Sequence, residues 1–326
     1  MKKILITGGG GYVGSALTDY LISKNYFVTV YDLFIYGKEV FENKRNLNLI
    51  SGDIRNQELF NKAVKNHDAV IHLACISNDP SFELNPELGK SINFDAFEPL
   101  VEISKKNKVK RFIYASSSSV YGIKEDKDVD ENMHLAPLTD YSKFKAACEK
   151  ILLNYTSENF ETIIIRPATV CGYSKRQRLD VIVNILTNLA FHKREITIFG
   201  GDQLRPNIHI KDMLRAYEIL LEAETKDVNG QIFNAGWENK SVNQIAQIVK
   251  NKIGEDVKIL KTTTDDNRSY HISSEKIKKV LGFKTKFTIE DAVKDLREAF
   301  EKKILSDTLH NDLFFNIKRM NKISLK

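Results

Sequence analysis

Short apolar runs alternate with stretches of helical spacing through the first half of the chain. Residues 2–7 (KKILIT), 27–32 (FVTVYD), 47–53 (LNLISGD), 69–75 (AVIHLAC), 111–117 (RFIYASS) and 162–165 (TIII) predict six strands. Residues 12–24, 56–66, 88–107 and 141–157 predict the helices between them. Runs that are apolar at nearly every position belong to strands covered on both faces, and strands separated by helices form right-handed βαβ units around a parallel sheet. The expected class is α/β, a doubly wound parallel sheet of Rossmann type. Beyond Val170 the pattern loosens. Helical stretches at 179–192, 210–224, 241–253, 274–281 and 288–302, broken by short strands, read as a smaller α/β lobe on the carboxyl ends of the sheet. The expected units are 1–170, a lobe at 171–305 partly interleaved with it, and a tail at 306–326 that docks through its apolar 313–317 segment (LFFNI).

Composition narrows this picture little. The 326 residues are 42% hydrophobic and 28% charged with a net charge of +6, ordinary for a folded protein with a full core. The basic excess suits a phosphorylated substrate as well as a nucleic acid. The lysines are spread out, however, with no basic stripe interleaved with aromatics, so nucleic acid is not an expected partner. Cys75, Cys148 and Cys171 match neither a disulfide framework nor a metal site, and are expected as small buried hydrophobes. No metal is expected. No signal peptide opens the sequence, and no apolar run nears the roughly 20 residues that span a bilayer. The expected location is the cytoplasm, with no membrane partner.

The chemistry starts at the first strand-to-helix turn. Gly8, Gly11 and Gly14 fall in the string TGGGGYVG, between residues 2–7 and the helix from Tyr12. A turn this tight needs positive φ, a backbone that can approach a pyrophosphate, and close helix–strand packing. The helix N-terminus then offers free N–H groups to the anion. Alone the loop is weak evidence, because any tight turn wants glycine. Asp32, 18 residues past Gly14 at the end of the second strand, adds a carboxylate for the adenosine ribose hydroxyls; its charge repels a 2′-phosphate and favours NAD over NADP. Further on, Tyr141 and Lys145 stand four apart, on one face of a helix. A Lys ammonium, helped by a nicotinium charge, stabilises a phenolate and makes Tyr141 a general base. The same spacing occurs on many ordinary helices; here it follows the Ser-rich end of the fifth strand.

These residues together resemble the extended short-chain dehydrogenase/reductases, the NAD-dependent sugar-nucleotide epimerases and dehydratases. The TGxxGxxG loop, the SSxxVYG-like string 116–122, Tyr-x-x-x-Lys and the RPxxVYG-like string 166–172 carry the resemblance, which spans residues 2 to about 300. It implies a catalytic trio of Ser117, Tyr141 and Lys145. It implies an NAD site built from Gly8, Gly11, Tyr12, Val13, Gly14, Asp32, Leu33, Asp53, Ile54, Leu73, Ala74, Asn93, Ser116 and Pro167, joined by Tyr141 and Lys145. For the sugar nucleotide it implies Ser77, Ser118, Thr169, Arg178, Asn184, Thr197, Phe199, Arg205 and Arg268, the two last gripping the diphosphate. Guanidinium forks suit that task, although a structural salt bridge would use the same residues. The family's 4,6-dehydratases carry Asp-Glu directly after the catalytic hydroxyl residue, where this chain has Ser118-Ser119, and Cys171 replaces the family's Tyr. Segments 76–82, 177–181 and 201–207 resemble enzymes that oxidise C4 of GDP-linked manno-heptose in bacterial capsule synthesis.

The resulting expectation is oxidation of C4 of a nucleoside-diphosphate sugar, GDP-linked by preference, to a 4-keto product. A 4-epimerase using the same residues stands second. A non-catalytic NAD-binding regulator stands third, since Tyr141 and Lys145 are both present. The resemblance also implies a homodimer or higher homo-oligomer, with a dimer interface formed through the helices at 88–107 and 141–157.

Overall fold

The computed structural model describes residues 2–124, 126, 128–264, 269 and 271–325. The strands, in chain order, are β1 Lys3–Thr7, β2 Phe27–Asp32, β3 Leu47–Ser51, β4 Ala69–His72, β5 Arg111–Ala115, β6 Glu161–Pro167, β7 Thr169–Cys171, β8 Glu195–Phe199, β9 Leu204–His209, β10 Gln231–Ala235, β11 Glu238–Ser241 and β12 Lys258–Thr262. Seven of them form one parallel sheet in the order β10-β6-β5-β4-β1-β2-β3.

The apolar runs alternate between two cores. Ile4, Ile6, Val28, Val30, Ile71 and Ile113 face one cluster, which the helices Tyr12–Ser23 and Ile210–Glu222 cover. Leu5, Tyr31, Val70, Phe112, Tyr114 and Ile164 face the other, beneath the helices Phe97–Lys106 and Asp140–Asn154. Two covered faces are why the strands lack an inside–outside polarity pattern. His72, the polar exception in β4, is buried, and burial drives its pKa down to about 3; it remains neutral and shares a 2.7 Å hydrogen bond with the Thr7 hydroxyl.

One feature gives form to the expected interleaving, and another departs from the expected elements. The seventh strand, β10, and the helix Ile210–Glu222 both come from beyond residue 170, so the first unit does not complete its own sheet. The single helix expected at 88–107 is three pieces: Pro86–Lys90, a π turn at Ser91–Asp95, and Phe97–Lys106. The wider turn lets consecutive residues Ile92 and Asn93 both point inward. Asn93 then accepts from Ile76 N at 2.8 Å and donates to Ile76 O at 2.9 Å, which pins the loop after β4.

The lobe stacks the helices Ile182–Lys193, Val242–Ile253 and Ile289–Glu301 around their own apolar cluster, beside the pair β8–β12. A three-stranded sheet, β11-β9-β7, joins lobe and main sheet.

A buried ion pair ties the catalytic-candidate helix to the sheet. Glu149 on the helix Asp140–Asn154 meets Arg166 on β6 through two hydrogen bonds of 2.9 and 2.6 Å, and each side chain is 3% exposed. Arg166 also donates to the Tyr121 hydroxyl at 2.7 Å, which donates to Asn234 on β10 at 2.7 Å. Removing one partner leaves a buried charge alone. Glu149→Ala is expected to destabilise the fold by about 3–5 kcal/mol in denaturant unfolding; a loss under about 1 kcal/mol would contradict the pairing.

Candidate active site and cofactor cleft

The first turn has room for glycine only. Gly8 has φ +74°, and a Cβ there would come within 2.5 Å of Ala74 N. A Cβ on Gly14 would lie 2.3 Å from Gly8 O, so the helix Tyr12–Ser23 can approach β1 this closely only through a bare backbone. Gly11 caps that helix without a side chain, leaving its first N–H groups for an anion. At the end of β2, the Asp32 carboxylate accepts from Gly10 N at 2.9 Å and Phe34 N at 2.6 Å. Burial raises its pKa, and those two backbone bonds oppose the rise. Each oxygen keeps a second lone pair for a ribose hydroxyl.

A cleft with about 1080 Å³ of empty space, counted together with the solvent at its mouth, runs from this turn along the end of β4. Gly8, Gly11, Tyr12, Val13, Gly14, Asp32, Leu33, Asp53, Ile54, Leu73 and Ala74 all line it, as do Ser77 and Arg178 from the set expected to touch substrate. Asp53 is held in place by Arg55 at 2.6 Å. Burial pushes its carboxyl upward, but the Arg55 bonds outweigh that and hold it below the usual range. A glycine turn closed to any Cβ, an anchored carboxylate and a long apolar floor fit a dinucleotide. Asn93, Ser116, Pro167, Tyr141 and Lys145 are not among the lining residues. Asn93 spends both ends of its amide on Ile76, and Ser116 donates to Glu149.

Beside this cleft, one helix is matched turn by turn to the end of one strand. Tyr141, Lys145 and Glu149 recur every four residues and so form a single stripe on the helix Asp140–Asn154. Glu149 meets the Ser116 hydroxyl, Lys145 Nζ donates to Ala115 O at 2.7 Å, and Tyr141 faces the Ser117 hydroxyl. Thr139 caps the helix with a capping box to Ser142, fixing where the stripe begins. Lys145 is buried, with its Nζ 5.8 Å from the centre of the Tyr141 ring and 4.9 Å from that of Tyr114. Ser117 Oγ shares a 2.8 Å hydrogen bond with Ser119 Oγ, while Ser118 is buried. The Tyr141 pKa is raised, first by burial and then by Cys75 and Asp79; Arg178 and Ser117 pull it back.

The substrate candidates divide. Thr169 on β7 pairs with Asn207 on β9, and Arg205 lies two residues before Asn207, so Thr169 and Arg205 share one face of the small sheet. Thr197 and Phe199 share the outer face of β8, whose inner face is the buried Ile196 and Ile198; Phe199 is 58% exposed. Asn184 is not among the residues lining the cleft. It is fully buried, accepting from Gly172 N at 3.0 Å and donating to Arg178 O at 2.8 Å and to the Tyr12 hydroxyl at 3.2 Å. With no exposed surface, it braces the cleft from behind. Arg268 lies outside the described residues.

Several cleft residues carry no sequence motif: Ile35 and Tyr36 after β2, Arg176, and Asn316, Met320 and Leu325 from the tail. The apolar 313–317 segment signalled docking without indicating where. Cys75 also departs from expectation. It is partly exposed and lines the cleft, whereas Cys148 and Cys171 are buried. Among the described residues, no group of His, Cys, Asp and Glu could hold a metal, and no helix is long and apolar enough to cross a membrane.

The raised pKa of Tyr141 has a testable sign. A folded pKa above the ordinary value of about 10 favours the neutral phenol. Its contribution to stability is whole below that value and is lost as pH climbs toward the folded one. In a phenolate difference titration of the ligand-free protein against Tyr141→Phe, no ionisation assigned to Tyr141 is expected up to about pH 10. A step near neutrality would show that the fold alone ionises it.

Comparison with known proteins accords with this geometry. The NAD dependent epimerase/dehydratase family matches residues 4–236. A putative UDP-glucose 4-epimerase of Methanocaldococcus jannaschii is 29% identical over 302 residues, covering 89% of this chain and 96% of that protein. The human dTDP-D-glucose 4,6-dehydratase is 28% identical over 315 residues, covering 90% and 88%. The crystal structure of UDP-glucose 4-epimerase with UDP-glucose from Thermotoga maritima superposes with a TM-score of 0.84 at 27% identity, covering 93% of this chain and all of that one. The chain belongs to the NAD-dependent epimerase/dehydratase family, and its cofactor is NAD.

Proposed function

We propose that this enzyme oxidises C4 of a nucleoside-diphosphate sugar to a 4-keto sugar nucleotide, with GDP-manno-heptose as the favoured substrate. The observation that carries the reading is the stripe of Tyr141, Lys145 and Glu149 set against Ala115, Ser116 and Ser117. Ser117 holds the reacting hydroxyl, and Tyr141 takes its proton. Lys145 has given one of its three donors to Ala115 O, so two remain for the cofactor ribose and for the field that stabilises a phenolate. Bound NAD supplies the hydride acceptor. Burial favours the neutral Tyr141 phenol, and Lys145, together with the positive ring the cofactor would bring, would offset that burial.

Eliminating water from C5–C6 needs an acid and a base. The two residues after Ser117 are Ser118 and Ser119, hydroxyls that do not titrate near neutrality, which supports oxidation without dehydration. In the lobe we assign Arg205 and Thr169 to the diphosphate and sugar, and Thr197 with Phe199 to the base. The preference for a GDP-linked heptose rests on the likeness of segments 76–82, 177–181 and 201–207. The first two of these meet where Arg178 Nη1 donates to Ser77 Oγ at 3.0 Å. A 4-epimerase is the second reading, supported by the relatives described above as 4-epimerases.

Purified protein incubated with GDP-manno-heptose, and in parallel with UDP-sugars, is expected to give a 4-keto product by NMR with matching NADH absorbance. Inversion at C4 without net NADH would make it an epimerase; turnover of none of them would overturn both readings. Tyr141→Phe is expected to lower kcat by about 10²–10⁴-fold with sugar-nucleotide binding nearly unchanged. A fall under tenfold would remove Tyr141 from its role.

A further inference from the structure

The chain end folds back onto the cofactor cleft. After the helix Ile289–Glu301, Leu305 and Thr308 are buried, and Phe314 O accepts from Leu179 N at 2.8 Å. The helix Asn316–Ile323 then lies along the cleft rim, and Asn316, Met320 and Leu325 complete a wall that begins at the glycine turn. Met320 is buried in the same apolar cluster as Ile54 and Ile92.

Asn316 is the hub of this closure. Its Oδ1 accepts from the Tyr36 hydroxyl at 2.8 Å and from Arg176 Nη2 at 3.0 Å. Its Nδ2 donates to Ser77 Oγ at 3.0 Å, and its backbone N donates to Asp180 Oδ2 at 2.7 Å. Tyr36 follows β2, Ser77 follows β4, and Arg176 and Asp180 follow β7, so one residue joins three walls of the cleft. Arg319 adds a bond to Ile35 O, and the Arg176 guanidinium stacks 3.4 Å from the centre of the Tyr36 ring. A 5%-exposed amide that makes all four of these bonds is a stable latch, because opening it strands several polar groups at once.

A second observation points to what lies beneath. Arg176 Nε and Arg178 Nη2 are buried and find no hydrogen-bond partner among the described residues, yet both side chains line the cleft. Buried guanidinium donors left open in a glycine-turn cleft suit an anionic guest.

We propose that the C-terminal segment is a roof over part of the NAD cleft, latched by Asn316, and that undocking of the helix Asn316–Ile323 limits release of the cofactor. This rests on the cleft being the NAD site. Exchange of the dinucleotide is then gated by local undocking of a chain end, and not by the grip of the glycine turn alone.

The test measures NADH release from the intact protein, from Asn316→Ala and from a chain ending at Phe315. Each is loaded with NADH and mixed with excess NAD, and the loss of NADH fluorescence is followed by stopped flow. Release from Asn316→Ala is expected to be about tenfold faster or more, the factor that about 1.4 kcal/mol of lost latch corresponds to, and faster still from the shortened chain. Unchanged release from an Asn316→Ala protein that melts like the intact one overturns the roof. If the shortened chain does not fold, Asn316→Ala decides alone. Failure of the intact protein to bind NADH at all would instead overturn the assignment of the cleft.

Discussion

The Glu149–Arg166 ion pair is the constraint on which the site depends. In a low-dielectric interior neither charge is tolerable without the other. The pair therefore fixes the helix Asp140–Asn154 both along and about its axis, relative to β6. The same carboxylate takes the Ser116 hydroxyl, which fixes the end of β5 as well. Two turns back along that stripe lies Tyr141, one turn back Lys145. Their positions follow from a structural pair that need not touch any ligand. The network continues through Tyr121 to Asn234, so β10, the strand contributed by the second half of the chain, is locked to the same frame.

The cofactor side depends on bare backbone. Gly8 and Gly14 let the helix Tyr12–Ser23 pack against β1 and the end of β4 at distances no side chain permits. That close approach opens the cleft at the carboxyl ends of the parallel strands, the usual ligand position in such sheets. Burial of Tyr141 in the ligand-free protein favours its neutral phenol, and the proposed role as base requires positive charge from Lys145 and a nicotinium ring to offset that burial.

Much of this was legible in the residues. Apolar runs such as AVIH and TIII can only be strands covered on both faces, and they are. Glycines at 8, 11 and 14 with Asp32 marked the cleft because that chemistry is local in sequence. The stripe Tyr141–Lys145 was visible for the same reason; Glu149, its third member, was passed over because its meaning lies in Arg166 on another strand. The π turn at Ser91–Asp95 was hidden because it changes one hydrogen-bond register inside a helical pattern. The backbone partners of Asn184 were hidden because a polar residue in a helix reads alike whether it faces ligand or braces a backbone. The closure by Asn316 had no local signature, since its partners are spread from Tyr36 to Asp180.

The most direct test of the central claim, oxidation at C4 by Tyr141 with NAD, is a single-turnover reaction with GDP-manno-heptose deuterated at C4, run beside C4-deuterated UDP-glucose. The expected result is deuterium on the nicotinamide ring, with reduced cofactor appearing more slowly than from unlabelled sugar. Deuterium lost to solvent, or kept on the sugar with no reduced cofactor formed from either substrate, would contradict it.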